Sequence, residues 1–89
     1  MLEKKVTIIN KLGLHARAAA KLIGVTSRFE SDIRLNKEGR EVDGKSIMAV
    51  MMLAASKGTD LVITTTGNDQ HEAMDAIEML INNRFDEDE

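Results

Sequence analysis

GREVDGKS, Gly39 to Ser46, satisfies the pattern G-x-x-x-x-G-K-[ST] letter for letter. Whether it is one loop or several structural pieces decides the fold. As one loop it would cradle phosphates between a strand and a helix, as in a nucleotide-binding parallel sheet. Its surroundings say otherwise. Ser31-Asp32-Ile33-Arg34-Leu35-Asn36 alternates as a strand does, Lys37-Glu38-Gly39 has a hairpin-turn composition, and Arg40-Glu41-Val42 returns as a short strand. Gly39 then belongs to a turn and Ser46 to a helix cap, with strand between them. Glu41 and Asp43 would also stand beside a polyanion. Fewer than half of the 89 residues follow Ser46, too few for the parallel sheet of an NTPase. The strand Leu61–Ile63 runs into threonines, where such enzymes need a magnesium-binding aspartate. The match is an accident of a turn and a cap, and a nucleotide hydrolase is argued down with it.

Outward from that hairpin the remaining elements fall into place. Lys4 to Ile9 is β-branched and partly alternating, which predicts a strand, and Asn10-Lys11-Leu12-Gly13-Leu14 interrupts it. From Ala16 to Thr26 the apolar set Ala16, Ala19, Ala20, Leu22 and Ile23 recurs at helical spacing. Ser46 to Ala55 reads as a second helix, N-capped by Ser46 and closed by Lys57-Gly58. Leu61 to Thr66 is the last strand. Asn68 and Asp69 can cap a third helix, whose inner face is Ala73, Ala76, Ile77, Leu80 and Ile81. The order is β-α-β-β-α-β-α. Three helices with one apolar stripe each imply an α+β open-faced sandwich of two layers: a four-stranded antiparallel sheet with all three helices on one face.

At 89 residues the expectation is a single domain, 1–89, burying about 60–65% of its unfolded surface in one thin core. Without cysteine there is no disulfide framework, and no Cys/His/Asp cluster has metal-ligand spacing. Neither a metal nor a cofactor is expected. No apolar run resembles a signal peptide or a membrane span, so a soluble, cytoplasmic protein is expected. The formal charge of −3 is uneven, because residues 86–89 hold four of the 15 acids against 12 Lys and Arg in the whole chain. The body is therefore near neutral and the acidic tail reads as a solvated end. Two Phe and no Trp or Tyr leave no stacking platform for bases, so no nucleic-acid surface is expected.

The chemistry concentrates in Gly13-Leu14-His15-Ala16-Arg17-Ala18-Ala19. His15 falls where the first loop meets the first helix, at the end with free N–H groups and the positive pole of the dipole. That field disfavours imidazolium and holds the ring neutral and nucleophilic. A phosphoryl group on the ring would lie against the backbone donors of Ala16 and Arg17, with the Arg17 guanidinium able to cover its oxygens. Gly13 lets the loop bend and keeps the ring approachable. The plainer alternative is a histidine in a helix-cap region beside a solvated arginine. An arginine in a first turn is slightly unfavourable to the dipole, which tilts the reading toward function. His71, in the first turn of the third helix with no flanking arginine or glycine-bearing loop, reads as a surface residue.

GLHARAAAKL, DGKSIMAVMMLAASKG and the order of elements resemble the histidine phosphocarrier HPr of the bacterial phosphoenolpyruvate-dependent phosphotransferase system, nearly end to end. Asn10 to Arg17 and the closing Phe85-Asp86-Glu87-Asp88 look especially like the nitrogen-branch form, NPr. One departure is Ala18, where the family usually has proline; a slightly looser first turn follows, without lost function. The resemblance implies that His15 accepts a phosphoryl group on Nδ1 from enzyme I and passes it to a IIA domain, with Arg17 in support. Such a protein carries a covalent phosphohistidine intermediate without being a self-contained enzyme. The resemblance also makes Ser46 the counterpart of a serine that an HPr kinase/phosphorylase modifies in many bacteria.

Ile47, Met48 and Met51 form a surplus of large apolar side chains on a short helix, and methionine adapts to several partners in turn. In the family, partners dock near this helix, so these three are assigned to the interface, and Met52 and Leu53 to the core. A carrier that offers one face to successive partners should be a monomer. The competing class is a non-catalytic regulatory module of the same fold, binding proteins under control of phosphorylation at Ser46. His15 with Arg17 at a helix start separates the two, since a pure regulator needs neither. The sequence leaves open whether a sugar or a nitrogen branch is served, and whether a kinase acts on Ser46.

Overall fold

The computed structural model describes residues 1–89. Strands β1 (Leu2–Thr7), β2 (Asp32–Lys37), β3 (Arg40–Asp43) and β4 (Asp60–Thr66) form one sheet in the order β1-β4-β2-β3, every neighbouring pair antiparallel. Helices α1 (Ala16–Thr26), α2 (Ile47–Met52) and α3 (Gln70–Asn82) cover one face. The α+β open-faced sandwich is as expected from the sequence.

Register explains which face they cover. In β4, Leu61, Ile63 and Thr65 are buried while Asp60, Val62, Thr64 and Thr66 are not, and Ile33 and Leu35 of β2 repeat the alternation. Leu35 pairs with Ile63 and Ile33 with Thr65, so the inward residues of adjacent strands stack into one apolar surface. Against it lie Ala18, Ala19 and Leu22 of α1, Val50 of α2, and Ala73, Met74, Ile77, Leu80 and Ile81 of α3, within one cluster of 19 buried apolar residues. Burial of this apolar surface is the main force holding the layers together.

The hairpin that opened the sequence reading is as expected. Glu38 and Gly39 both have positive φ, 52° and 89°, the two-residue turn whose twist matches that of the flanking strands. The Gly39 N–H donates to the Asn36 side chain at 3.0 Å. Gly39 and Ser46 are thus separated by the whole of β3, and no phosphate loop exists.

Besides Met74 being buried on α3 where Ala76, half-buried, was expected, four details differ from expectation. Strand β1 begins and ends two residues early; Ile8 stays fully buried by exchanging backbone hydrogen bonds with Thr59 and Gly58 at 2.9 and 2.7 Å. On α1 the inward alanines are Ala18 and Ala19, whereas Ala16 and Ala20 are exposed. Alanine is apolar enough to enter a helical pattern and small enough to sit on either side, so it fixes rotation weakly. Helix α2 stops at Met52 instead of Ala55, because Ala54 adopts a left-handed φ of 52°. Its last carbonyls are taken by cations from the β2–β3 hairpin: Lys37 Nζ donates to Leu53 and Ala54 at 3.0 and 3.3 Å, and Arg40 to Met52 at 3.4 Å. Lys57-Gly58 therefore plays no part in closing it.

The fourth difference is the C-terminus. Arg84, Phe85 and Asp86 have positive φ values of 55°, 53° and 63°, and the chain doubles back. Left-handed backbone costs roughly 1–2 kcal/mol per residue. The compensation is Phe85, fully buried where the turn packs on α1 and α3, since burying a side chain of that size contributes about 1.5–3 kcal/mol. Lys21 Nζ also holds the Phe85 carbonyl at 2.7 Å. The acidic tail is consequently not a free solvated end.

Candidate functional site

His15 is the N-cap of α1, in extended conformation with φ −75° and ψ 177°. Its carbonyl accepts from the Ala19 N–H at 2.8 Å, while the N–H groups of Ala16, Arg17 and Ala18 have no acceptor within the chain. Its side chain makes no capping bond, so the ring is left for other use. The imidazole is 26% exposed. Sequence reasoning required a reachable ring at the amide end of its helix, and the structure supplies both.

The loop before it is tightly fixed. Gly13 has a φ of 67°, and a Cβ at this position would stand 2.8 Å from Ser56 Cα. Only glycine combines that conformation with so close an approach. The Leu14 N–H then donates to the Ala55 carbonyl at 2.8 Å, anchoring the loop to the segment after α2.

Arg17 is exposed and carries no ion pair within the chain. It lines an open cleft of about 410 Å³ with Lys11, Leu12, Lys21 and residues 86–89. Three cations thus face four acids across this cleft. The acids come from the returning tail, which sequence reasoning had left in solvent.

Two residues that the sequence did not single out complete the site. The Glu87 carboxylate meets His15 Nε2 with one oxygen and accepts from Asn10 Nδ2 at 3.0 Å with the other. Asn10 is fully buried, and its Nδ2 also donates to the Gly13 carbonyl at 2.8 Å. The Asn10 bond is the largest cause holding the Glu87 carboxyl below the usual glutamate range; the hydrogen bond to His15 and the nearby Lys21 act the same way, against desolvation. Only folding brings positions 10, 15 and 87 together, so no local pattern could announce them.

Ser46 caps α2 as expected, its Oγ accepting from the Ala49 N–H at 3.3 Å. Ile47, Met48 and Met51 are exposed. Leu53 is buried, but Met52 is 59% exposed, which corrects its assignment to the core. The helix is too short to turn a further large side chain inward once Val50 and Leu53 have filled the space. Leu12, 67% exposed on the cleft that Arg17 lines, was missed because a lone leucine in a loop has no periodicity to mark it. His71 lies on the surface of α3, as expected. No group of three or more His, Cys, Asp or Glu is arranged to hold a metal ion, and no helix is long and apolar enough to cross a membrane.

Comparison with known proteins agrees with this geometry. The family described as "PTS HPr component phosphorylation site" matches residues 2–83. The phosphocarrier protein HPr of Pseudomonas aeruginosa is 59% identical over 86 residues, covering 96% of each chain. That of Cupriavidus necator is 55% identical over 89 residues, covering all of both. The crystal structure of HPr-C-His from Thermoanaerobacter tengcongensis superposes with a TM-score of 0.97 at 39% identity, again covering both chains completely. The open-faced sandwich and these relatives together place the chain among phosphoryl-group carriers. The chain belongs to the HPr family of phosphocarrier proteins of the phosphotransferase system.

Proposed function

We propose that His15 is the phosphoryl acceptor, taking the group on Nδ1 from phosphorylated enzyme I and donating it to a IIA domain. The observation that carries this reading is the half-buried imidazole at the start of α1 beside the unclaimed N–H groups of Ala16 and Arg17. Those donors hold the phosphoryl oxygens, and the Arg17 guanidinium swings over them from the cleft. A helix-end interaction of roughly 0.3–1 kcal/mol orients the group without trapping it. A carrier needs that balance, since donation must follow acceptance.

Ile47, Met48 and Met51, extended by Met52, form the docking surface beside this site. The 89 residues act as one cytoplasmic unit and as a monomer, because successive partners use the same face. Ser46 is a second modification site: its half-buried Oγ lies at the edge of the methionine surface. A phosphate there would add negative charge to the docking face and weaken association with acidic partners.

Incubation with phosphoenolpyruvate and enzyme I should give one acid-labile phosphate, absent from His15→Ala. A phosphate that resists acid and survives that substitution would move the chemistry to Ser46 and reject the carrier site. Transfer rates to IIA domains of the sugar and nitrogen branches then distinguish which branch is served.

A further inference from the structure

The backbone reversal at Arg84–Asp86 holds three consecutive non-glycine residues at positive φ. What it delivers is Glu87, 72 residues from His15 in the chain, with one carboxylate oxygen on the imidazole Nε2. Fixing that carboxylate is the fully buried Asn10, which gives one Nδ2 hydrogen to Glu87 and the other to the Gly13 carbonyl. With both hydrogens committed to oxygens, the orientation of the Asn10 amide is settled. Its Oδ1 is then buried without a donor. An orphaned acceptor of this kind is unfavourable in the folded protein. The turn is compensated by the burial of Phe85, whereas the Asn10 amide, held with its Oδ1 unpaired by a contact that ends on the His15 ring, has no such compensation and points to function.

From this arrangement we infer that Glu87 is a positioning residue for the phosphoryl acceptor, with Asn10 positioning Glu87 in turn. An ionised carboxylate can only accept, so it selects the tautomer in which Nε2 carries the proton. Nδ1 is left with its lone pair exposed and is the attacking atom. In the transfer, Nδ1 forms the new N–P bond as the donor's bond to phosphorus breaks, and the electron pair of that bond leaves with the donor. Nε2 keeps its proton throughout, so the ring becomes cationic. The Glu87 charge faces that developing cation and stabilises it. The hydrogen bond also fixes the ring plane, aiming Nδ1 at one approach direction. The logic is that of a base oriented by a carboxylate, assembled here from a tail and a loop.

This inference rests on His15 as acceptor, but its first readout does not. Long-range 1H–15N spectra of the neutral ring should show Nε2 protonated and Nδ1 bare in the wild-type protein. Glu87→Ala should give a tautomer mixture, and so should Glu87→Gln, whose single amide oxygen cannot accept from both Asn10 Nδ2 and His15 Nε2. The rate of phosphoryl acceptance from enzyme I should fall roughly tenfold in Glu87→Ala, the low end of what orienting partners of histidine contribute at metal sites. Glu87→Gln, lacking the second carboxylate oxygen and the charge, should stay close to the Ala variant. The Glu87 side chain is only 14% exposed and its loss leaves one Asn10 Nδ2 hydrogen without its acceptor, so the Ala variant should unfold at a somewhat lower temperature, and spectra and rates are compared well below that transition. Unchanged nitrogen shifts in Glu87→Ala would overturn the inference. So would an unchanged or faster acceptance rate, the latter marking the tail as an obstruction. Phosphorylation persisting in His15→Ala would instead reject the acceptor while leaving the tautomer result standing.

Discussion

At the scale of single residues, the proposed site separates into groups that would touch the phosphoryl oxygens and groups that would aim the ring. Arg17 belongs to the first kind. It has no ion pair in the folded chain and stands exposed on the cleft, so removing it should leave stability unchanged. A charge-assisted hydrogen bond contributes about 1.5–3 kcal/mol. Arg17→Ala should therefore slow transfer from phosphorylated enzyme I by roughly 10–100-fold, measured in a single-turnover assay. Arg17→Lys should recover only part of that loss, because an ammonium cannot match a phosphoryl group with two parallel donors. The second kind was harder to see in the sequence. His15 and Arg17 advertise themselves through spacing against a helix start, whereas Asn10 looks like any loop asparagine and Glu87 like any acid in a charged tail.

At the scale of elements, two helix starts do different work with the same physics. The N-terminus of α1 leaves its first amides unclaimed and has no side-chain cap, whereas in α2 the Ala49 N–H is taken by the Ser46 hydroxyl. Ser46→Ala should cost about 1 kcal/mol of global stability, measured by urea unfolding, and should leave phosphorylation of His15 intact. The far end of α2 was misread for a related reason. Lys57-Gly58 has the composition of a helix stop, but Ala54 turns left-handed first, and Lys37 and Arg40 reach across from the hairpin to claim the carbonyls. Helix ends satisfied from a distance leave no trace in their own sequence. On α1 the start was legible and the rotation was not, because a run of alanines offers several equivalent faces.

At the scale of the molecule, electrostatics set the acid limit of stability. Asp69 accepts from the Glu30 and Ser31 N–H groups at 2.9 and 3.0 Å and from the Ser31 hydroxyl, tying α3 to the entry of β2. The Ser31 hydroxyl is the largest cause holding this carboxyl below its ordinary value of 3.8. Asp60 is lowered by the Thr7 hydroxyl and Glu87 by Asn10. Groups depressed on folding stabilise the native state above their unfolded values, and that contribution is lost as pH falls through the folded ones. The unfolding temperature should therefore be flat on the acid side down to about the ordinary carboxylate range, then drop as Asp69, Asp60 and Glu87 are protonated. Asp69→Asn should shrink that drop and lower the plateau, as read by thermal scans across pH. Lys4 and Arg34, raised by Glu78 and Asp32, contribute stability that is lost only when pH rises past their own high values.

What the sequence determined by itself was the alternation of Ile33, Leu35, Leu61 and Ile63, the helical stripe of α3, the turn at Glu38-Gly39 and the placing of His15 at a helix start. All of these depend on neighbours a few residues away, where backbone geometry fixes which side chains share a face. Tertiary structure alone decided where the chain end goes. Phe85 needs an apolar pocket that only packed α1 and α3 provide, and its burial swings Glu87 onto a ring 72 positions earlier. Burial energy is indifferent to distance along the chain, so contacts made that way are settled only when the core closes.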